Sequence, residues 1–253
     1  MNLLTLSFTL LFIIITTFIS AYKKLGLGKD IWIGTVRAAV QLIAVGYVLD
    51  YVFATKTWYF YIIIILVMAI VASRHAAKRG GGFKGVFWRI LFTLLVNVSF
   101  VMLILLGLNI IQSEPQYIIP ISGMVMGSSM VVAGLFLTTL QRESEASKAT
   151  IEMLLSLGAN QKQALQAIMQ RIVKVSMIPT IDALKTVGIV QLPGMMTGMI
   201  IAGASPIEAV KYQLLMFFTF TGSAASVSIM LSILFHYLLI SKDLRYVPPE
   251  EHK

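Results

Sequence analysis

Glu152-Met-Leu-Leu-Ser-Leu-Gly-Ala-Asn160, followed by Gln161-Lys-Gln-Ala-Leu-Gln-Ala-Ile168, is a polar, helix-patterned interruption in an otherwise apolar chain. Ile151, Leu154 and Leu155 stand at i, i+3 and i+4, which lays one apolar stripe along a helix. Gly158 then supplies a stop, because the left-handed residue that ends many helices has the least strain without a Cβ. Asn160 is placed to cap a second helix, with Gln163 three residues on as its reciprocal partner. Leu165, Ile168, Met169 and Ile172 stripe that second helix. The expectation is two short amphipathic helices meeting at a glycine turn, within a cytosolic or membrane-surface segment from Glu143 to Lys174. Such a pair either docks against another protein or merely connects two membrane spans.

Outward from this segment the chain is a membrane protein. Of its 253 residues 58% are hydrophobic and only 12% charged, with a mean hydropathy of +0.87. A soluble domain would carry about 25% charged residues. Too little polar sequence remains for a separate soluble domain, so residues 1–253 read as a single transmembrane permease domain. Cysteine is absent, which removes disulfides, thiol nucleophiles and cysteine metal sites. The formal charge of +9 reads as loop retention on the cytoplasmic side and not as nucleic-acid binding.

Seven segments are apolar enough to cross a bilayer, which takes about 20 residues. They are Leu3–Ala21, Ile31–Phe53, Trp58–Ala72, Ile90–Ile111, Ile118–Leu140, Val175–Ile201 and Leu214–Ile240. No Lys or Arg precedes the first, so it reads as a span and not as a cleaved signal. With the N-terminus outside and the C-terminus inside, sixteen of the 20 basic residues fall on the cytoplasmic side. They include Lys23, Lys24, Lys29, Arg74, Arg79, Arg142, Lys162, Arg171, Lys174 and Lys242. Only Lys56 and Lys211 fall outside, and Arg37 and Lys185 lie within or near spans. That asymmetry supports both the orientation and the odd number of spans.

The spacing Glu152, five residues, Gly158, nine residues, Ile168 resembles the EAA loop of ABC-transporter permeases. Met153 and Leu154 depart from that pattern, standing where the family has two alanines. Gln170 and Arg171 stand where it has Leu-Pro, and proline returns only at Pro179. Across nearly its whole length the chain resembles the FetB family of ABC permeases. The resemblance rests on this loop, on Thr35-Val-Arg37-Ala-Ala-Val-Gln41-Leu, and on Gln191-Leu-Pro-Gly-Met-Met-Thr-Gly-Met-Ile-Ile-Ala-Gly203. It implies an all-α permease subunit of the cell inner (plasma) membrane, forming a homodimer joined to two copies of a separate ABC ATPase subunit. Glu152, Leu155, Gly158, Ala159 and Ile168 would then form the coupling helix gripped by that ATPase. The family is described as iron exporters, with plant relatives linked to aluminium tolerance, so the implied cargo is iron or a related metal moving outward.

The chain has no nucleotide site of its own. Gly80-Gly-Gly-Phe-Lys84-Gly and Gly26-Leu-Gly28-Lys29-Asp30 lack the spacing and the Lys-Ser/Thr of a phosphate loop. His75, His236 and His252 do not make a metal-ligand spacing, and no hydrolase constellation is present. The expectation is therefore no catalysis and no bound cofactor, with ATP used by a partner or energy drawn from an ion gradient.

Polar groups inside spans are the pathway candidates, because charge at a helix centre costs about 2.5–3.5 kcal/mol on insertion scales. Arg37 and Gln41 share a face of the second span, and Asn97 lies in the fourth. Asp182 and Lys185 share a face of the sixth at i, i+3. Each has a bland alternative: Arg37 reaching to the interface, Asp182 and Lys185 neutralising one another there. Pro193 and the pair Gly194 and Gly198 read either as a bent gate or as ordinary packing. Met195, Met196 and Met199, like Met124, Met126 and Met130, read as soft-metal ligands or as membrane filler. Two other function classes stand beside the ABC permease: a gradient-driven transporter or channel, and a non-transporting scaffold. Within the ABC reading a non-metal cargo such as a nucleotide sugar is also open.

Overall fold

The computed structural model describes residues 3–55, 57–80, 83, 85–190 and 192–240, with side chains from residue 8 onward. Lys56, Gly81, Gly82, Lys84, Gln191 and the tail from Ser241, with the basic Lys242, Arg245 and Lys253 and also His252, lie outside the described residues. The described residues are all-helical, with no β-strand. The helices are α1 (Leu3–Tyr22), α2 (Gly28–Thr55), α3 (Trp58–Ala77), α4 (Val86–Gly107), α5 (Pro115–Ala146), α6 (Lys148–Ser156), α7 (Gln161–Thr186), α8 (Gly194–Ile201) and α9 (Pro206–His236). Among them α2, α3, α4, α5 and α9 are long and apolar enough to cross a membrane.

The chain divides into two units, residues 1–57 and 58–253. The first is the pair α1 and α2. Their connection turns at Lys24 and Gly26, both with positive φ, and Leu27 N–H donates to Oγ of the buried Ser20 at 3.2 Å. The second unit is a bundle with α5 at its centre, packed against α3, α4, α7 and α9. Its core runs through Ile90, Leu94, Val125, Phe136, Leu137, Ile151, Leu165, Ile172, Leu231 and Phe235, all fully buried.

The elbow between α5 and α7 is built as its local chemistry dictates. Gly158 has φ +87°. Its N–H donates to Leu155 O at 3.0 Å and Ala159 N–H to Leu154 O at 3.0 Å, the paired bonds of a glycine-terminated helix. Asn160 Oδ1 accepts from Gln163 N–H at 2.9 Å, and Gln163 Oε1 accepts from Asn160 N–H at 3.0 Å, so the expected capping box is present. Burying Ile151 and Leu165 contributes about 1.5–3 kcal/mol each where water is the alternative. Glu143, at the end of α5, accepts from Arg171 on α7 at 3.0 Å and closes the triangle of α5, α6 and α7.

Two expectations are corrected. The second elbow helix is not short. With no proline or glycine before Pro179, α7 runs unbroken for 26 residues, about 39 Å. The sixth span, Val175–Ile201, is not one helix. It is the outer part of α7, a connection whose described residues 187–190 and 192–193 are non-helical, and the eight-residue α8. Val187 is extended and Gly188 has φ +81°. Thr186 Oγ1 donates to Asp182 O at 2.9 Å, and Pro193 caps α8 with an extended backbone instead of bending a continuous helix. Elsewhere α2 and α3 outrun their predicted spans by a few residues and α5 continues to Ala146 to reach the elbow, while α4 and α9 start early but end four residues short of theirs, at Gly107 and His236.

Replacing Gly158 by Ala forces a Cβ into the left-handed region at a cost of about 1–2 kcal/mol. The expected outcome is a lower thermal midpoint in detergent and faster amide exchange confined to α6 and the first turns of α7. An unchanged exchange pattern would mean that the turn does not hold the elbow.

Candidate functional site

The elbow presents apolar side chains to solvent although its interior is packed. Met153 and Leu157 are 54% and 77% exposed on α6 and its C-cap. Glu152 is exposed beside them and lies 4.0 Å from Lys148. Leu155 is half-buried and Gly158 exposed, while Ile168 is buried in the bundle core. Of the five predicted coupling residues, Glu152, Gly158 and the half-buried Ala159 and Leu155 therefore face outward, and Ile168 anchors α7 behind them. Leu157, which the motif comparison passed over, is the most exposed aliphatic residue of the elbow.

Leu155, Gly158 and Ala159 also form one wall of a cleft of about 1250 Å³ between the elbow, α7 and the end of α9. Lys162, Lys174, Gln166, Gln170, Ser232 and Tyr237 line it beside the apolar Val173, Ile229 and Ile233, and among the described residues no carboxylate does. The described lining thus carries positive charge, amides and hydroxyls on a largely apolar wall.

Deeper in the bundle, Asn97 of α4 is fully buried. Its Nδ2 donates to Ser129 Oγ on α5 at 3.1 Å and to Ser223 Oγ on α9 at 2.6 Å, and the two serines lie 2.9 Å apart. Asn97 Oδ1 makes no hydrogen bond, and the residue borders an otherwise apolar crevice of about 370 Å³ with Phe100, Leu215, Phe218, Thr219 and Ser223. One step towards the elbow, Ser176 of α7 meets Ser228 of α9 at 2.9 Å. These serine partners lay beyond sequence reasoning: Ser223 is 126 residues from Asn97, and a hydroxyl in an apolar run is also common helix filler.

The other predicted pathway residues are dispersed. Arg37 and Gln41 are exposed on α2 in the first unit. Asp182 and Lys185 pair at 3.6 Å on α7, 61% and 70% exposed. Met195, Met196 and Met199 are half-buried on α8, and Met195 packs on the core. Met126 is core and Met124 and Met130 pack on it. Gly194 and Gly198 meet no atom within 4 Å, so no close helix approach uses them within the chain. Gly123 does pack closely, with its Cβ position 3.5 Å from Met68 Cε on α3. Among the described residues no group of three or more His, Asp or Glu side chains is arranged to hold a metal.

Asn97→Ala removes both of its interhelical bonds. At the roughly 0.6–1.7 kcal/mol measured for such bonds in membrane bundles, stability should fall by about 1–2 kcal/mol. Thermal melts in detergent read this directly. Ser223→Ala should cost less, because Ser129 still holds the amide.

Comparison with known proteins places the geometry in a family. Residues 3–239 match the family described as "Uncharacterised protein family (UPF0014)". The "UPF0014 membrane protein YjkA" of Bacillus subtilis is 46% identical over 234 residues, 92% of this chain and 94% of its own length. The "Probable iron export permease protein FetB" of Escherichia coli is 35% identical over 221 residues, 87% of this chain and 85% of its own. The "Protein ALUMINUM SENSITIVE 3" of Arabidopsis thaliana is 32% identical over 220 residues, 87% and 81%. No solved structure matches. The chain belongs to the UPF0014 family.

Proposed function

We propose that this member of the UPF0014 family is the membrane-spanning subunit of an ABC transporter, working as a homodimer with two copies of a separate ATPase subunit in the cell inner (plasma) membrane. The observation that carries the reading is the elbow. It is held rigid by a glycine stop, a capping box and the Glu143–Arg171 pair, yet shows Met153 and Leu157 to solvent. A rigid corner with an apolar tip suits an α-helical element seated in a partner's groove. The name of the Escherichia coli relative adds permease and iron export. The cargo proposed from it is iron or a related metal, moved outward, with ATP bound and hydrolysed only by the partner.

Seven crossings follow if α1 and the broken pair α7–α8 are added to the five span-length helices. The elbow and the basic ends of α3, α5 and α7 then lie inside, and the N-terminus outside, as the distribution of Lys and Arg favours. A push on the elbow would travel along α7, one continuous helix from Gln161 to Thr186.

A second cargo is favoured by one specific feature. The cleft beside the elbow has Lys162 and Lys174, amides and hydroxyls, and among the described residues no carboxylate. That lining suits an anionic organic molecule, such as a nucleotide sugar, better than a bare cation.

Leu157→Asp should abolish copurification of the ATPase and lower transport at least about tenfold, as expected when a charge is forced into an apolar docking groove, while the thermal midpoint stays unchanged. Retained copurification with full transport would overturn coupling through the elbow. Flux through the purified chain alone in liposomes would replace the ABC reading by a gradient-driven one. ATPase stimulation of the reconstituted pair, by iron on one side and a nucleotide sugar on the other, separates the two cargo readings.

A further inference from the structure

The register of α7 against α9 sets the depth of its Asp182–Lys185 ion pair. The two helices are antiparallel neighbours, pinned where Ser176 meets Ser228 at 2.9 Å. Six residues further along α7, Asp182 lies level with about Gly222. Gly222 lies well inside α9, whose 31 residues span about 46 Å, long enough to cross a bilayer. With α9 read as a span, Asp182 and Lys185 therefore stand inside the membrane, on a face where they are 61% and 70% exposed. The chain leaves the helix about one turn beyond Asp182: Ile189 and Val190 are 89% and 78% exposed in the non-helical connection, and Gly194 and Gly198 of α8 beyond it meet nothing within 4 Å.

Lipid is a poor neighbour for this face. Charged side chains and irregular backbone at membrane depth persist only where protein or a water-filled cavity covers them. Discontinuous helices near the midplane are also where membrane transporters build their pathways. The chemistry of the face names its cover. Asp182 and Lys185 are opposite charges one turn apart, so a copy of the same face brought up by a two-fold axis along the membrane normal offers Lys185 to Asp182 and Asp182 to Lys185.

We propose that two copies of this chain meet along the outer half of α7 and the connection to α8, with Asp182 of each copy paired to Lys185 of the other, so that the break in the sixth crossing is completed by its symmetry mate. The proposal rests on the permease reading only for placing α7 in the bilayer. Its test needs neither ATPase nor transport, so its failure and that of the elbow are separable.

The chain has no cysteine, which makes single-cysteine crosslinking clean. In native membranes, Ile181→Cys and Ile189→Cys should each give a crosslinked dimer under mild oxidation. Leu103→Cys, exposed on α4, should give none. Absence of a dimer band from both test positions overturns the proposal, whether lipid or another part of the chain covers the face. Charge reversal tests the pairing. In the Ile189→Cys background, Asp182→Lys gives each face two cations and Lys185→Asp gives each two anions. Each alone should lose the dimer band by about tenfold or more, as like charges at an interface require. Coexpression of the two should restore it as a mixed dimer. An intrachain pair predicts no such rescue, so a mixed band no stronger than either variant alone overturns the reciprocal contact. Because the crosslinks at Ile181 and Ile189 are also read with native charges, a charge variant that fails to fold does not hide the result.

Discussion

A bilayer interior supplies no hydrogen-bond partner, and the buried amide of Asn97 has to find its partners in the protein. It finds two hydroxyls, Ser129 and Ser223, and thereby fixes α4, α5 and α9 at one common depth. Ser176 and Ser228 then hang α7 from α9 at a set register. Apolar packing alone would tolerate sliding, since one aliphatic contact in lipid is much like another. These polar knots are what give the elbow and the break after α7 fixed positions relative to the rest of the bundle.

The two ends of α7 carry different duties. At one end the helix is amphipathic in the usual sense, with Leu165, Ile168, Met169 and Ile172 turned into the core and Lys162, Gln166 and Gln170 turned to the cleft beside the elbow. At the other it holds a charged pair and ends at Thr186, one turn beyond Asp182. A plain structural span would have been apolar all round and unbroken. The combination of an anchored rod, an apolar tip and a charged, interrupted far end suits a part that moves, and it is consistent with a family whose members include a named export permease.

What the sequence made legible follows from how local each signal is. The elbow was readable because its determinants, Gly158, Asn160 and Gln163, act within five residues of one another. The all-helical membrane class was readable from hydropathy, and it is the class observed. The break between α7 and α8 was not, because Val187, Ile189, Val190 and Leu192 are as apolar as any span. A hydropathy window cannot tell an apolar coil from an apolar helix; only Gly188 and Pro193 marked it. The partners of Asn97 were out of reach for the opposite reason, being distant in the chain and shared between three helices. The apolar stripe that contains Ile168 identified a helix face correctly but could not say whether core or partner would cover it.

Pro179 lies in α7 one turn beyond the Ser176 anchor and has no N–H for the carbonyl of Val175. The rod is thus pinned and weakened at nearly the same place. From Gln161 to the pin is about 22 Å, and from the pin to Thr186 about 15 Å. Such a geometry behaves as a lever with its fulcrum off centre. Because the weak point sits at the fulcrum, part of a stroke delivered at the long arm is taken up as bending at Pro179, and the short arm with Asp182 and Lys185 can change its angle without the elbow end following it.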